Sequence, residues 1–194
     1  MDFKTHLIDA WEMTLEFIAP LIIITLIMFV VWFLSFGILV PVTFAGYTQS
    51  ILLMIRQGRE PRIQDLFSQL NLFLPLLGFG IMVCAATVIG LIFFVLPGLL
   101  IALATVFICL YVVPLMIDKN LGLFDAIKKS YSLALQGALV DHLVVVIIFI
   151  GIHAVGSSVF IGSLFTQPLA TIFLLSVYEK KTNLDSASGG ALSD

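Results

Sequence analysis

Three stretches of this chain contain no Asp, Glu, Lys or Arg: residues 17–55, 66–117 and 142–178. Drawn as continuous helices at about 1.5 Å per residue they would extend ~58, ~78 and ~55 Å, against a hydrocarbon core of about 30 Å. Each run therefore reads as two crossings joined by a bend. A helix breaker sits near the middle of each: Gly37 and Pro41 in the first, Leu96-Pro97-Gly98 in the second, and Gly156-Ser157-Ser158 or Gly162 in the third. Inside a bilayer the backbone must satisfy its own hydrogen bonds, so these runs are helices; they are too long and too unalternating for barrel strands.

Composition points to the same solvent. Hydrophobic residues make up 61% of the 194 positions and charged residues only 11%, with a mean hydropathy of +1.18, whereas a soluble domain carries about 25% charged residues. Too few charges are available to cover this fold in water, so lipid solvates most of it. The expected fold class is all-α: a polytopic membrane helix bundle of six transmembrane helices in three hairpins, with spans over 17–37, 40–56, 72–95, 98–117, 140–160 and 163–178. A single membrane domain occupies 1–182. The tail 183–194, rich in Ser, Gly and Ala, has little to bury and is expected to be disordered.

Three segments outside the runs are amphipathic. Over 122–137, Leu123, Phe124, Ile127, Tyr131, Ala134 and Leu135, with Ala138 just beyond, recur mostly at steps of three or four, opposite Asp125, Lys128, Lys129, Ser132 and Gln136. Residues 62–70, which follow Pro61, and 3–16, which carry Trp11, show the same pattern. All three are expected to lie as helices on the membrane surface. The first 16 residues hold one basic residue, Lys4, against four acids and no small-residue cleavage site follows, so the first run is expected to be retained.

If every run crosses twice, Lys4, Arg56, Arg59, Arg62, Lys119, Lys128, Lys129, Lys180 and Lys181 all fall on one side. Basic loops stay in the cytosol, which places both termini there.

The order of motifs also resembles a known family. The segment PVTFAGYTQSILLMIRQGREPRIQDLF, residues 41–67, is similar to the span, basic loop and short Asp-Leu-Phe helix of a bacterial membrane-domain family. That domain is fused to some glycerophosphodiester phosphodiesterases and also occurs in stand-alone uncharacterised proteins. The resemblance continues through Leu96-Pro97-Gly98, through VVPLMIDKNLGLFDAIKKSYSLALQG at 112–137, and through PLATIFLLSVYEKKT at 168–182. Asn120 stands where the family has the first glycine of a turn. The resemblance implies a six-helix protein of the bacterial inner membrane. It implies no phosphodiesterase activity, because the catalytic barrel of the fused members would need far more chain.

Candidate functional residues are few. Arg56, Arg59, Arg62, Lys128 and Lys129 form a basic rim that either contacts anionic lipid headgroups or simply sets topology. His153 is the one imidazole deep in an expected span. A proton relay there wants a carboxylate at the same depth and none is present, so a hydrogen bond to a neighbouring helix is preferred. Tyr47, Gln49 and Ser50, with Thr43 and Thr48, make the second span the most polar; this face lines a cavity, binds a headgroup or bonds within the bundle. Gly151, Ala154, Ser158 and Gly162 form a small-residue stripe, echoed by Ala86 and Gly90, that suits close helix packing. Asp141 and His142 read as ordinary interface residues.

No metal, cofactor or catalytic motif is found: HExxH, GxSxG, Walker and GxGxxG patterns are missing. Clustered excess Lys and Arg are missing too, so nucleic acid is not an expected partner. The small-residue stripes are expected to pack helices of this chain on one another in preference to a second copy; the expected partners are membrane lipids and, beyond them, a second copy or other membrane proteins. The expected function is a non-enzymatic scaffold or lipid-associated envelope factor, with a small channel or transporter through the second and fifth spans as the alternative.

Overall fold

A computed structural model describes residues 3–136, 139–157 and 160–190 of the chain, and among these every regular element is helical. The helices are α1 (Phe3–Glu16), α2 (Ile18–Leu34), α3 (Val40–Gln57), α4 (Phe73–Phe93), α5 (Val95–Cys109), α6 (Val112–Asp118), α7 (Leu123–Leu135), α8 (Leu139–Ser157) and α9 (Phe160–Gly190). Two short 3₁₀ turns, Ile63–Phe67 and Leu70–Leu72, lead into α4.

Four helical stretches are long and apolar enough to cross a membrane: Ile63–Phe93, Val95–Asp118, Leu139–Gly156 and Ile161–Asp185. The pair α1 and α2, bent by 87° around Phe17, makes a fifth if taken together. The architecture is thus that of a helical membrane protein with four to five candidate spans where six were expected. The two that fall short have physical reasons. Helix α2 has only 17 residues. Helix α3 carries Thr43, Tyr47, Thr48, Gln49 and Ser50, which dilute its apolar character.

The breaks follow local chemistry. Between α2 and α3 the chain turns through Phe36 and Gly37, both at positive φ (49° and 82°), a region open to glycine at little cost. Between α4 and α5 a single extended residue, Phe94, suffices, and Pro97 falls in the first turn of α5, where no amide donor is needed. A further break at Leu110 and Tyr111 separates α5 from α6. It reflects Pro114, which offers no N–H to the Leu110 carbonyl and crowds it sterically.

Helix α9 is the axis of the molecule. Its membrane-length segment is 61% buried, against 11% for Ile63–Phe93, although it is the less apolar of the two. Helices α1, α2, α3 and α8 pack around it, while α4 and α5 pack chiefly on one another. Tyr47, Tyr111, Tyr178 and Phe173 fill the core, whereas Ile92, Phe93, Phe94 and Val95 point outward. This inside-out distribution is expected where the surrounding medium is itself apolar.

Two segments differ from the sequence expectation. In place of one helix over 62–70 the chain forms the two 3₁₀ turns, because Asp65 and Leu66 are drawn onto α3 by contacts described below. The expected disordered tail is helical as far as Gly190, and the Lys129 ammonium ties it down at Asp185 (2.5 Å). Residues 191–194 lie outside the described residues. Helix α7 occupies the expected amphipathic segment, and α1 packs along α9, with Trp11 edge-on to Phe165 (5.3 Å between centroids).

Candidate functional site

The polar face of α3 is turned toward partners in the same chain. Thr25 donates to the Leu21 carbonyl (2.7 Å), which leaves its oxygen to accept from the Tyr47 hydroxyl at 3.0 Å. Trp32 donates from Nε1 to Thr43 Oγ1 (2.7 Å), and Thr43 passes its own proton to the Leu39 carbonyl (2.7 Å). The hydroxyl of Ser68 donates to Gln49 Oε1 (2.7 Å), as does the Gln69 carboxamide. These contacts are hydrogen bonds within the bundle, while Thr48 of the same face lines a cavity with Phe44, Thr105 and Thr171.

Ser50 leads to the most elaborate of these contacts. Its hydroxyl donates to Asp65 Oδ2 (2.6 Å), the same oxygen that Arg59 reaches through Nη2 (2.5 Å). The Arg62 amide lies 3.3 Å from both Ser50 Oγ and Asp65 Oδ2. The 3₁₀ turn can sit this close because position 46 is glycine: a Cβ there would overlap the carbonyl oxygens of Asp65 and Leu66. The basic loop is therefore folded back onto the side of α3 rather than extended away from it.

Further along α3, Arg56 joins three elements. It contacts Asp118 at the end of α6 (2.5 Å) and Glu179 of α9 (2.5 Å), and Tyr178 donates to the second oxygen of Asp118 (2.9 Å). The Asp118 side chain is only 6% exposed, so this guanidinium compensates a carboxylate that water scarcely reaches. The rim anticipated from sequence thus divides. Arg56, Arg59 and Lys129 are neutralised by Asp118, Glu179, Asp65 and Asp185. Among the described residues, Arg62 and Lys128 face no carboxylate within ion-pair distance.

A second polar group surrounds the break between α5 and α6. Ser130 donates to the Ile108 carbonyl (2.6 Å) and accepts from the Tyr111 amide (3.2 Å), while His142 Nε2 donates to the Phe107 carbonyl (2.7 Å). A carbonyl only accepts, so Nε2 carries a proton, and Nδ1 faces the Tyr111 hydroxyl at 3.5 Å. Lys181, almost fully buried, donates to the Leu133 carbonyl in the last turn of α7 (2.7 Å) and lies 5.6 Å from the centre of the Tyr111 ring. A cation at a helix C-terminus and over an aromatic face is favourably placed on both counts. His142, expected with Asp141 to be an ordinary interface residue, is fully buried and bonded, a structural group of the break.

His153 donates from Nδ1 to the Phe149 carbonyl (2.9 Å) and its Nε2 lies 3.1 Å from the Gln167 carboxamide of α9. It bridges two packed helices. Of the small residues, Gly90 abuts Gly98, and Gly162 abuts the Gly156 carbonyl. Gly151 has open space beside it, Ala86 and Ala154 face outward, and Ser158 lies outside the described residues. Gly156, expected only to break the helix, meets Thr166 across the α8 and α9 interface and is a packing residue. Among the described residues, no three His, Cys, Asp or Glu side chains converge as a metal site would require.

Asp65, Asp118, Tyr178, Glu179 and Lys181 were not singled out from sequence. Their common signal was present: each lies just inside or just outside a charge-free run, where an ionisable group needs a partner. Comparison with family models, with curated proteins and with solved structures finds no match.

Proposed function

We propose that this chain is a non-enzymatic integral protein of the bacterial inner membrane that serves as a scaffold or lipid-associated factor of the envelope. One observation carries the reading: Thr25, Tyr47, Trp32, Thr43 and His153 are bonded to partners in the same chain, while the outward surface of α4, α5 and α8 is apolar. A bundle whose polar groups satisfy one another has its chemistry invested in its own shape, and it presents that shape to lipid and to other membrane helices. A conduit would instead turn such groups toward a solute.

In this reading six segments cross, namely α2, α3, α4, the pair α5 and α6, α8 and α9, arranged as three hairpins with both termini cytosolic. The meeting of Arg56, Asp118 and Glu179 supports it, since the ends of the second, fourth and sixth crossings share one level when every hairpin goes out and returns. The inner-membrane assignment and the kinship with the membrane domain of glycerophosphodiester phosphodiesterases rest on the sequence resemblance.

The test is native mass spectrometry of the protein released from its own membranes. A scaffold emerges with retained lipid, a second copy or another membrane protein. A bare monomer in every preparation overturns the reading. Solute flux in liposomes that is lost in His153→Ala or Gln49→Ala would replace it with a transporter.

A further inference from the structure

We propose that the cleft between the first turns of α2 and the segment 61–64 is a binding site for one anionic glycerophospholipid, its phosphate held by Arg62 and one acyl chain lying along Pro20 and Ile23. The proposal rests on the membrane-embedded reading above and names one ligand class for it. An open cleft of about 540 Å³ lies between Pro20, Ile23 and Ile24 of α2 and Pro61, Arg62 and Gln64 of the segment 61–64. One wall is apolar and belongs to a helix of the bundle; the rim is cationic and amide-bearing. That is the polarity sequence of a phospholipid, from acyl chain through ester to phosphate.

Charge complementarity singles out Arg62 from its neighbours. Arg56 lies between two carboxylates and Arg59 is engaged with Asp65. Arg62 is exposed and faces no carboxylate among the described residues. Its backbone is nonetheless anchored: the amide lies 3.3 Å from both Ser50 and Asp65, and the preceding Pro61 is buried. The guanidinium therefore springs from a fixed point, which lowers the ordering cost of binding. Its planar fork matches two phosphate oxygens at once, which an ammonium does not. Depth agrees as well. The hydrogen bond from Tyr47 to Thr25 sets Ile24 beside the middle of α3. The floor of the cleft thus runs down α2, away from the loop, in the direction that an acyl chain takes beneath its headgroup.

Lys128 supplies the internal control, being a second cation without a carboxylate partner, on α7 and outside this cleft. A general attraction of anionic lipid to basic residues treats Arg62 and Lys128 alike; a built site distinguishes them.

The experiment uses the full chain in nanodiscs of phosphatidylcholine containing phosphatidylglycerol, with bound lipid counted by native mass spectrometry during stepwise delipidation. The expected result is one phosphatidylglycerol retained by the parent protein, an affinity about fivefold lower in Arg62→Gln, and no change in Lys128→Gln. Filling the trough with Ile23→Trp also releases the lipid while Arg62 remains. Unchanged circular dichroism and melting temperature verify the fold of each variant, and if Ile23→Trp fails that check, Arg62→Gln decides alone. Equal retention of phosphatidylcholine, equal loss in Arg62→Gln and Lys128→Gln, or displacement of the lipid by inorganic phosphate overturns the proposal. Labelling of Lys128→Cys in intact cells, with Cys84 and Cys109 replaced by serine, tests the underlying orientation separately: labelling from outside rejects the cytosolic placement of the basic loops, whereas loss of lipid selectivity with a cytosolic label rejects the lipid site alone.

Discussion

Gly46 and Gly151 are both glycines inside apolar helices, and the structure gives them opposite meanings. A methyl group at position 46 overlaps backbone carbonyls of the 3₁₀ turn, which have no flexible end to move aside. Gly46→Ala is expected to lower stability by about 1–3 kcal/mol, the usual cost of overpacking. Beside Gly151 nothing lies within 4 Å of an added Cβ, so Gly151→Ala is expected to be neutral or to gain up to ~1 kcal/mol from helix propensity. Thermal unfolding of both variants in the same detergent separates them, and equal behaviour would contradict the docking of Asp65 on α3. Arg56 makes a second residue-scale case. Arg56→Ala leaves Asp118 with Tyr178 and Lys119 alone and is expected to cost about 2 kcal/mol, less than a fully buried pair because the guanidinium is partly solvated. Arg56→Lys restores only part of this, since one ammonium does not span two carboxylates from separate elements. The melting temperatures are expected to fall in the order parent, Lys variant, Ala variant.

At the scale of elements, the broken helix formed by α5 and α6 shows how a bilayer protein tolerates a proline. Pro114 opens the ladder, and the carbonyls near the opening find donors on other helices, Ser130 on α7 and His142 on α8. Ser130→Ala and His142→Phe each leave a carbonyl without its partner, at an expected cost of about 1–3 kcal/mol in unfolding experiments. Because both side chains serve one break, the double variant is expected to deviate from the sum of the singles, and strict additivity would show that they act independently. Pro114 is visible in the sequence, yet the break is not, because it lies away from the middle of its apolar run and the run is short enough on either side of Pro97 to cross without it. Local interruption and reversal of direction are separate events, and composition registers only the second.

At the scale of the whole molecule, the least apolar of the long helices is the most enclosed. Helix α9 donates or accepts through Gln167, Tyr178, Glu179 and Lys181 toward α8, α6, α3 and α7, and so couples regions that lie far apart in the chain. If α9 organises the bundle in this way, Lys181→Ala, which removes the link to α7, is expected to increase protease access at both α7 and the end of α9. Limited proteolysis in detergent reads this directly, and an effect confined to α9 would show that the contact with Leu133 does not order α7.

The long apolar runs, the helical class and the positions of two of the bends are legible in the string of residues alone, because length, hydropathy and the conformational limits of glycine and proline act locally and need no partner. The same string also locates the polar face of α3 and the amphipathic α7. Which partner each polar group takes was decided only by the tertiary structure: the pairing of Arg56 with two carboxylates, the return of Asp65 to Ser50 and the enclosure of Lys181 join residues from 15 to 123 positions apart. Five basic residues look alike in a string, and only packing, by bringing acids to three of them, leaves Arg62 and Lys128 distinct from the rest.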